Sequence, residues 1–311
     1  MQRHLQCTCV LRVPLVFTMV NNVKVYCRFR PPNDLERQHG GISCHEVVDD
    51  QTVRLSSSTS TATPSAVGPF TFDHVFAEDS TQQEVYDQVG RDLVAQCLNG
   101  YHCTCFAYGQ TGAGKTHSMM GSRSNESQAG IIPRMVADIF SHINAADGRE
   151  EFTVKASYVE IYLERIRDLL VAGSADTIGL PGGGGRKKGS SSTSNKSSGG
   201  QNLKIRHDRK GGRGLFIEGV QEFYLSNAED MIRLLLRGDA ARATASTNMN
   251  AQSSRSHSIF IITVTQKNVV SGTSKTGKLF VCDLAGSEMV KKTAATGNTL
   301  REAKQINKSL R

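Results

Sequence analysis

Tryptophan is absent from this 311-residue chain, and aromatic residues make up only 6% of it. Apolar runs nevertheless recur regularly, so the chain is expected to be a globular protein with one disordered insert. The 38% hydrophobic content is enough for one large domain or two small ones, and one domain fits the pattern below. There is no pair of CxxC motifs, so the eight cysteines (Cys7, Cys9, Cys27, Cys44, Cys97, Cys103, Cys105 and Cys282) set up no zinc site. Several fall in expected strands, which points to buried free thiols in a reducing compartment. No apolar run approaches the length of a membrane span. Residues 9–20 are apolar, but Arg12 interrupts them and no small-residue cleavage site follows. Residues 1–21 are therefore expected to form an irregular extension, with Met19 as the natural start. No internal repeat is evident.

Acidic residues are scarce in one stretch. Residues 186–213 hold nine Lys or Arg (Arg186, Lys187, Lys188, Lys196, Lys204, Arg206, Arg209, Lys210, Arg213) against the single acid Asp208. The rest of the chain balances at 28 basic and 28 acidic residues, so the net charge of +8 belongs to this segment. A concentrated basic stripe suits a polyanionic partner, whether nucleic acid, anionic membrane or acidic protein polymer; a solvated loop without a partner is the plainer alternative.

Periodicity gives the organisation. Residues 23–29 (VKVYCRF) alternate and stop at Pro31, as a strand does before a turn, and residues 68–76 contain a second short strand. Residues 81–98 carry apolar side chains at helical spacing, with Ser80 or Thr81 to cap them and Gly100 to end them. Residues 103–108 (CTCFAY) predict a strand, 135–143 a helix and 152–162 a long strand. Residues 171–201 are rich in Gly, Ser and Lys and predict a disordered insert. Strands are expected again at 203–205, 215–217, 259–265 and 278–282, with a helix at 228–236. Alternation of these elements indicates an α/β fold, a sheet covered by helices.

The residues Gly109, Gln110, Thr111, Gly112, Ala113, Gly114, Lys115 and Thr116 read GQTGAGKT between an expected strand and an expected helix. This is the P-loop pattern: glycines let backbone N–H groups point at phosphate oxygens, Lys115 supplies charge, and Thr116 offers a hydroxyl to Mg²⁺. Such a loop needs an acid to hold the metal from the far side and a group that senses the terminal phosphate. Asp283, at the end of an apolar run and opening DLAGSE, suits the first; the backbone of Gly286 suits the second. Residues 250–257 (NAQSSRSH) add hydroxyls at Ser253 and Ser254, within reach of phosphate or metal, and a guanidinium at Arg255 that can pair with Glu288.

The set YGQTGAGKTHSM (108–119), NAQSSRSH (250–257), DLAGSE (283–288) and INKSL (306–310) resembles the kinesin superfamily motor domain, in order and in separation. CRFRP (27–31), FDHVF (72–76) and EIYLERIRDLL (160–170) extend the resemblance over residues 22–311. It implies a P-loop NTPase fold with a central mixed sheet flanked by helices, and a microtubule-stimulated ATPase using Mg-ATP. In that family Arg28, Arg30 and Pro31 would flank the adenine, with His117 stacked on it. Ser253 and Ser254 would belong to switch I and touch phosphate and Mg²⁺; Asp283 and Gly286 would belong to switch II. Arg255 and Glu288 would form the bridge that orders the attacking water, with Glu288 accepting its proton through a second water.

The resemblance also implies tubulin contacts at Arg165, Lys204, Arg206, Arg209, Lys210, Arg213, Lys291 and Lys292, steered by charge. The Gly/Ser insert would act as an electrostatic tether. It further implies a cytoplasmic, cytoskeletal protein that dimerises through a coiled-coil stalk outside this sequence, and a partner that is neither nucleic acid nor membrane. Met289 departs from the basic residue common there. Because INKSL opens a helix just before Arg311, the expectation is a motor domain incomplete at its C-terminus, with apolar surface left uncovered. The competing expectation is a kinesin-like remnant that binds microtubules or nucleotide without motility.

Overall fold

The computed structural model describes residues 7–14, 23–40, 43–55, 68–122, 124–171, 203–208, 214–247, 255–288 and positions 306, 308 and 310. Along the chain come β1 (Cys7–Pro14), β2 (Lys24–Phe29), α1 (Asp34–Gln38), β3 (His45–Val47), β4 (Thr52–Leu55), β5 (Phe70–Thr71) and β6 (His74–Phe76). They are followed by α2 (Gln82–Val89), α3 (Arg91–Leu98), β7 (His102–Tyr108), α4 (Lys115–Met119), α5 (Ile131–Asn144), β8 (Glu150–Tyr162) and β9 (Arg165–Asp168). The last are β10 (Lys204–Asp208), β11 (Gly214–Glu218), β12 (Phe223–Leu225), α6 (Ala228–Thr247), β13 (His257–Asn268) and β14 (Ser274–Asp283).

Nine strands make one mixed sheet in the order β12-β8-β13-β14-β7-β1-β2-β6, with β9 also on β8; β10–β11 and β3–β4–β5 form two small sheets. The pairs β14–β7 and β2–β6 are parallel, and the other pairs of the large sheet are antiparallel. Since β1 runs antiparallel to both β2 and β7, those two run parallel to each other. The carboxyl ends of β2, β7, β8 and β14 and the start of β13 therefore emerge on one edge. A sheet of this kind gathers ligand-handling loops at that edge.

Strand β1 corrects the expectation of an irregular extension over residues 1–21. Cys7–Pro14 is an inner strand, with six register partners on β2 and six on β7. Arg12 and Pro14 argue against such a position by composition, but backbone pairing on both sides outweighs that local preference. The segment 81–98 is likewise two helices rather than one, divided at Gly90, where a Cβ would stand 2.5 Å from the Tyr86 ring. The anticipated cap is present: the Thr81 hydroxyl accepts from the Glu84 N–H while the Glu84 carboxylate accepts from the Thr81 N–H. Helix α6 runs on well past 236, to Thr247. Its Gly238 is needed because a Cβ there would meet the Tyr158 ring at 2.2 Å, so glycine lets the helix lie close on β8.

Val85, Val89, Leu93, Met135, Ile139, Leu234, Phe260, Ile262 and Val281 belong to one buried cluster that joins the helices to one face of the sheet. Most of the cluster is aliphatic, with Tyr26, Phe76, Tyr86, Phe140, Tyr158 and Phe260 among its members. On the other face Phe106, Ile261 and Phe280 remain partly exposed. The Gly/Ser insert falls outside the described residues from position 172 on.

Because β1 joins the β2–β6 pair to the rest of the sheet, removing residues 1–14 leaves two open edges facing each other. The lost ladder bonds are each worth about 0.5–1.5 kcal/mol, so the deletion should cost on the order of 5 kcal/mol or more. Chemical denaturation of the shortened chain against the full one measures it; equal midpoints contradict the placement of β1.

Candidate active site

Strand β7 ends at Tyr108, and the chain turns at once through residues 109–116 into α4. Gly112 and Gly114 stand at φ +81° and +93°, where a Cβ is strained, and Gly114 is the cap residue of α4. Lys115 is buried and folds back over the loop, its Nζ donating to the carbonyls of Gly109 (3.0 Å) and Gln110 (2.9 Å). Burial lowers its pKa, opposed by the carboxylates of Asp283 and Glu288. The loop backbone thus wraps one buried cation.

The parallel β7–β14 pair puts Asp283 opposite Ala107, directly behind that loop. Thr116 Oγ1 donates to Asp283 Oδ2 at 2.6 Å, while Asp283 Oδ1 is buried with no hydrogen-bond partner. An orphaned carboxylate oxygen beside a hydroxyl is the hard oxygen set that Mg²⁺ takes from a protein, which supplies few ligands and leaves the rest to water and phosphate. No cluster of three or more His, Cys, Asp or Glu able to hold a metal occurs among the described residues, which is compatible with that economical arrangement.

Behind Asp283 lies a buried charge network that the sequence reading missed. Arg242, on α6, donates to Ser258 Oγ (3.0 Å), to the Ser256 carbonyl (2.8 Å) and, more weakly, to Asp283 Oδ2 (3.5 Å). It also lies 3.8 Å from Glu160 Oε1, which accepts from Ser256 Oγ at 2.7 Å; Arg167 reaches the other Glu160 oxygen at 2.5 Å. Breaking one member of such a set leaves an uncompensated charge. The one local sign of it is an arginine amid the small residues AARATAS, a face suited to close packing.

The segment after β14 is stitched to the loop. Ala285 N–H donates to His257 Nδ1 (3.1 Å), and Ser287 N–H to the Gly109 carbonyl (3.1 Å). Glu288 accepts from Thr111 N–H (3.0 Å) and Thr111 Oγ1 (2.8 Å), so a carboxylate lies over the P-loop. Glycine at 286 leaves room for that contact, since a Cβ would stand 2.2 Å from Glu288 Oε2 and 2.4 Å from Thr111 Oγ1. Arg255 is half-buried at the start of the turn into β13, while Ser253 and Ser254 lie outside the described residues.

On the other flank, Arg28 is buried, with its guanidinium donating to Gln82 Oε1 (2.8 Å), Ser118 Oγ (2.9 Å) and the Ser80 carbonyl (3.4 Å). Gln82 in turn donates to the His117 carbonyl at 2.7 Å, so Arg28 and Gln82 together support the backbone at His117. Arg30 reaches the loop itself, donating from Nε to the Gly112 carbonyl at 2.8 Å; Pro31 follows it. Arg165, Lys204 and Arg206 are exposed on β9 and β10, and Arg206 pairs with Glu218 at 2.9 Å. Arg209, Lys210, Arg213, Lys291 and Lys292 lie outside the described residues.

Residues 28–311 match the family model of the kinesin motor domain. The chain is 46% identical over 293 residues to a kinesin heavy chain of Botryotinia fuckeliana, covering 94% of this chain and 29% of that protein. It is 44% identical to kinesin-related protein 3 of Dictyostelium discoideum (94% and 22% covered) and 39% identical to human kinesin heavy chain isoform 5C (93% and 26% covered). A solved structure of a fast kinesin superposes with a TM-score of 0.73 at 41% identity, over 90% of this chain and 70% of the other. The chain thus spans under a third of the length of these curated relatives.

His257 gives a pH test of the geometry. Burial, with Arg242 adding to it, pulls its pKa from 6.5 to about 4. The unfolded chain takes up this proton below about pH 6.5 and the folded chain only near 4, so the stabilisation is complete above pH 6.5 and is lost as pH falls towards 4. H257N, which keeps an acceptor for Ala285 N–H, should flatten that part of the stability–pH curve. An unchanged slope contradicts the buried neutral imidazole.

Proposed function

This chain belongs to the kinesin motor-domain family, and from that premise we propose that it is the nucleotide-hydrolysing part of a microtubule motor, with β1 and residues 22–311 together forming the motor unit. The observation that carries the reading is the convergence of the P-loop, Asp283 and Glu288 on one edge, with Thr116–Asp283 at 2.6 Å and Thr111–Glu288 at 2.8 Å.

In this reading the backbone N–H groups of residues 109–116 seat the phosphates of ATP, and Lys115 neutralises the terminal ones. Arg28 and Pro31, with His117, line the base side, and Arg30 stands between them and the loop, on the Gly112 carbonyl. Thr116 and Ser254, with Asp283 through water, would hold Mg²⁺, which would offset charge on the transferring phosphoryl group. Arg242 and Glu160 keep the Asp283 carboxylate in place. The incoming γ-phosphate competes with Glu288 for the same Thr111 donors, since both are anions. Once displaced, Glu288 meets Arg255 and, through a second water, takes the proton of the attacking water; the oxygen of that water bonds to the γ-phosphorus as the bond to the leaving ADP oxygen breaks. Gly286 N–H and Ser253 complete the contacts to the phosphate. Catalysis here is positioning and charge stabilisation, as expected for phosphoryl transfer.

The partner is the acidic surface of tubulin, met by Arg165, Lys204, Arg206, Arg209, Lys210, Arg213, Lys291 and Lys292. Such contacts weaken with salt. Dimerisation would depend on chain outside this sequence, and the protein would reside in the cytoplasm on microtubules.

E288A tests the mechanism. It should lower the microtubule-stimulated ATPase kcat by about 100-fold or more, the scale of a lost proton acceptor, while nucleotide affinity stays within a few-fold. Unchanged kcat overturns the role given to Glu288. Cosedimentation with microtubules should fall steeply between 50 and 200 mM salt on the order of a Debye-length argument, about 14 Å to 7 Å; salt-independent binding removes the electrostatic lobe.

A further inference from the structure

The crest of the P-loop is held from outside, by a contact that ordinary packing does not supply. A Cβ at Gly112 would meet no atom within 4 Å, so no neighbour presses on this glycine. Its carbonyl instead accepts from Arg30 Nε at 2.8 Å. The Arg30 guanidinium is itself gripped: Nη2 donates to Glu36 Oε1 at 2.6 Å, and Nη1 to Glu36 Oε2 and the Pro31 carbonyl, each at 2.8 Å. Glu36 is fixed in turn by the capping box of α1, accepting from Asn33 N–H at 2.8 Å. The two-pronged fork is the geometry that restricts an arginine most tightly.

A planar trans peptide ties the Gly112 carbonyl to the Ala113 N–H, which must point the opposite way. Holding the carbonyl outward therefore holds that N–H inward, where it donates across the loop to the Gln110 carbonyl at 3.2 Å. That interior is the phosphate seat of the proposed function. We propose that Arg30, clamped by Glu36, is a positioning residue for phosphate binding: it pre-orients the P-loop crest and acts on the phosphates through Gly112 and Ala113 rather than on the base. The inference rests on the nucleotide reading above.

The test uses the full chain and two ligands with Mg²⁺, ADP and inorganic pyrophosphate, each displacing a fluorescent ADP, beside thermal unfolding without ligand. R30A and E36Q should weaken both ligands by a similar factor, about tenfold for the loss of one oriented contact, with the melting temperature nearly unchanged. R30K should not restore binding, because an ammonium lacks the fork that spans Glu36 and Gly112. Weakening of ADP alone, with pyrophosphate unaffected, overturns the clamp and assigns Arg30 to the base. So does weakening that appears only in variants whose melting temperature collapses, or no weakening at all. If the unaltered chain binds neither ligand, the nucleotide reading falls and the clamp falls with it; if it binds both and the variants match it, only the clamp is lost.

Discussion

The parallel pairing of β7 with β14 is the constraint on which the rest of the site depends. It brings the end of one strand, where the P-loop starts, beside the end of another, where Asp283 sits, and the 2.6 Å contact between Thr116 and Asp283 follows from that register. The antiparallel partner β13 then returns Ser258 opposite Asp283, and β8 places Glu160 opposite Ser258. Three neighbouring strands thus carry an acid, a hydroxyl and a second acid in a row across the edge. A one-residue slip would turn each side chain to the other face.

That row leaves charges in a poorly solvated place, and the chain answers with cations from the covering layer. Arg242 comes down from α6 between the two acids, and Lys115 folds over the loop carbonyls. The compensation is incomplete at one atom, Asp283 Oδ1. A buried oxygen without a partner is costly, and its retention is consistent with a ligand that completes it. The Glu288 carboxylate across Thr111 belongs to the same logic: an anion of the chain's own accepts from a backbone N–H and a hydroxyl of the P-loop.

Much of this was legible in the sequence because the signals are local. Glycines in a fixed pattern, Lys115 and Thr116 after them, and Asp283 at the end of an apolar run each announce their place without knowledge of the fold. The strands at 152–162, 259–265 and 278–282 were legible from β-branched runs, and the structure extends them. Arg242 was not, since a helical arginine looks solvated until the helix is seen to lie against β8 through Gly238. Strand β1 was not, because its inner position comes from backbone pairing with strands far along the chain. The partners of Arg28 and Arg30 were hidden for the same reason: a motif fixes residue types, whereas hydrogen-bond partners such as Gln82 and Glu36 are chosen by packing.

The most direct measurement is a structure of the chain with Mg²⁺ and a non-hydrolysable ATP analogue. The account predicts that the terminal phosphate lies on Thr111 and Lys115, that Glu288 has left Thr111, and that the metal sits against Thr116 and Asp283. A triphosphate bound elsewhere, or Glu288 still on Thr111 with the analogue in place, would contradict it.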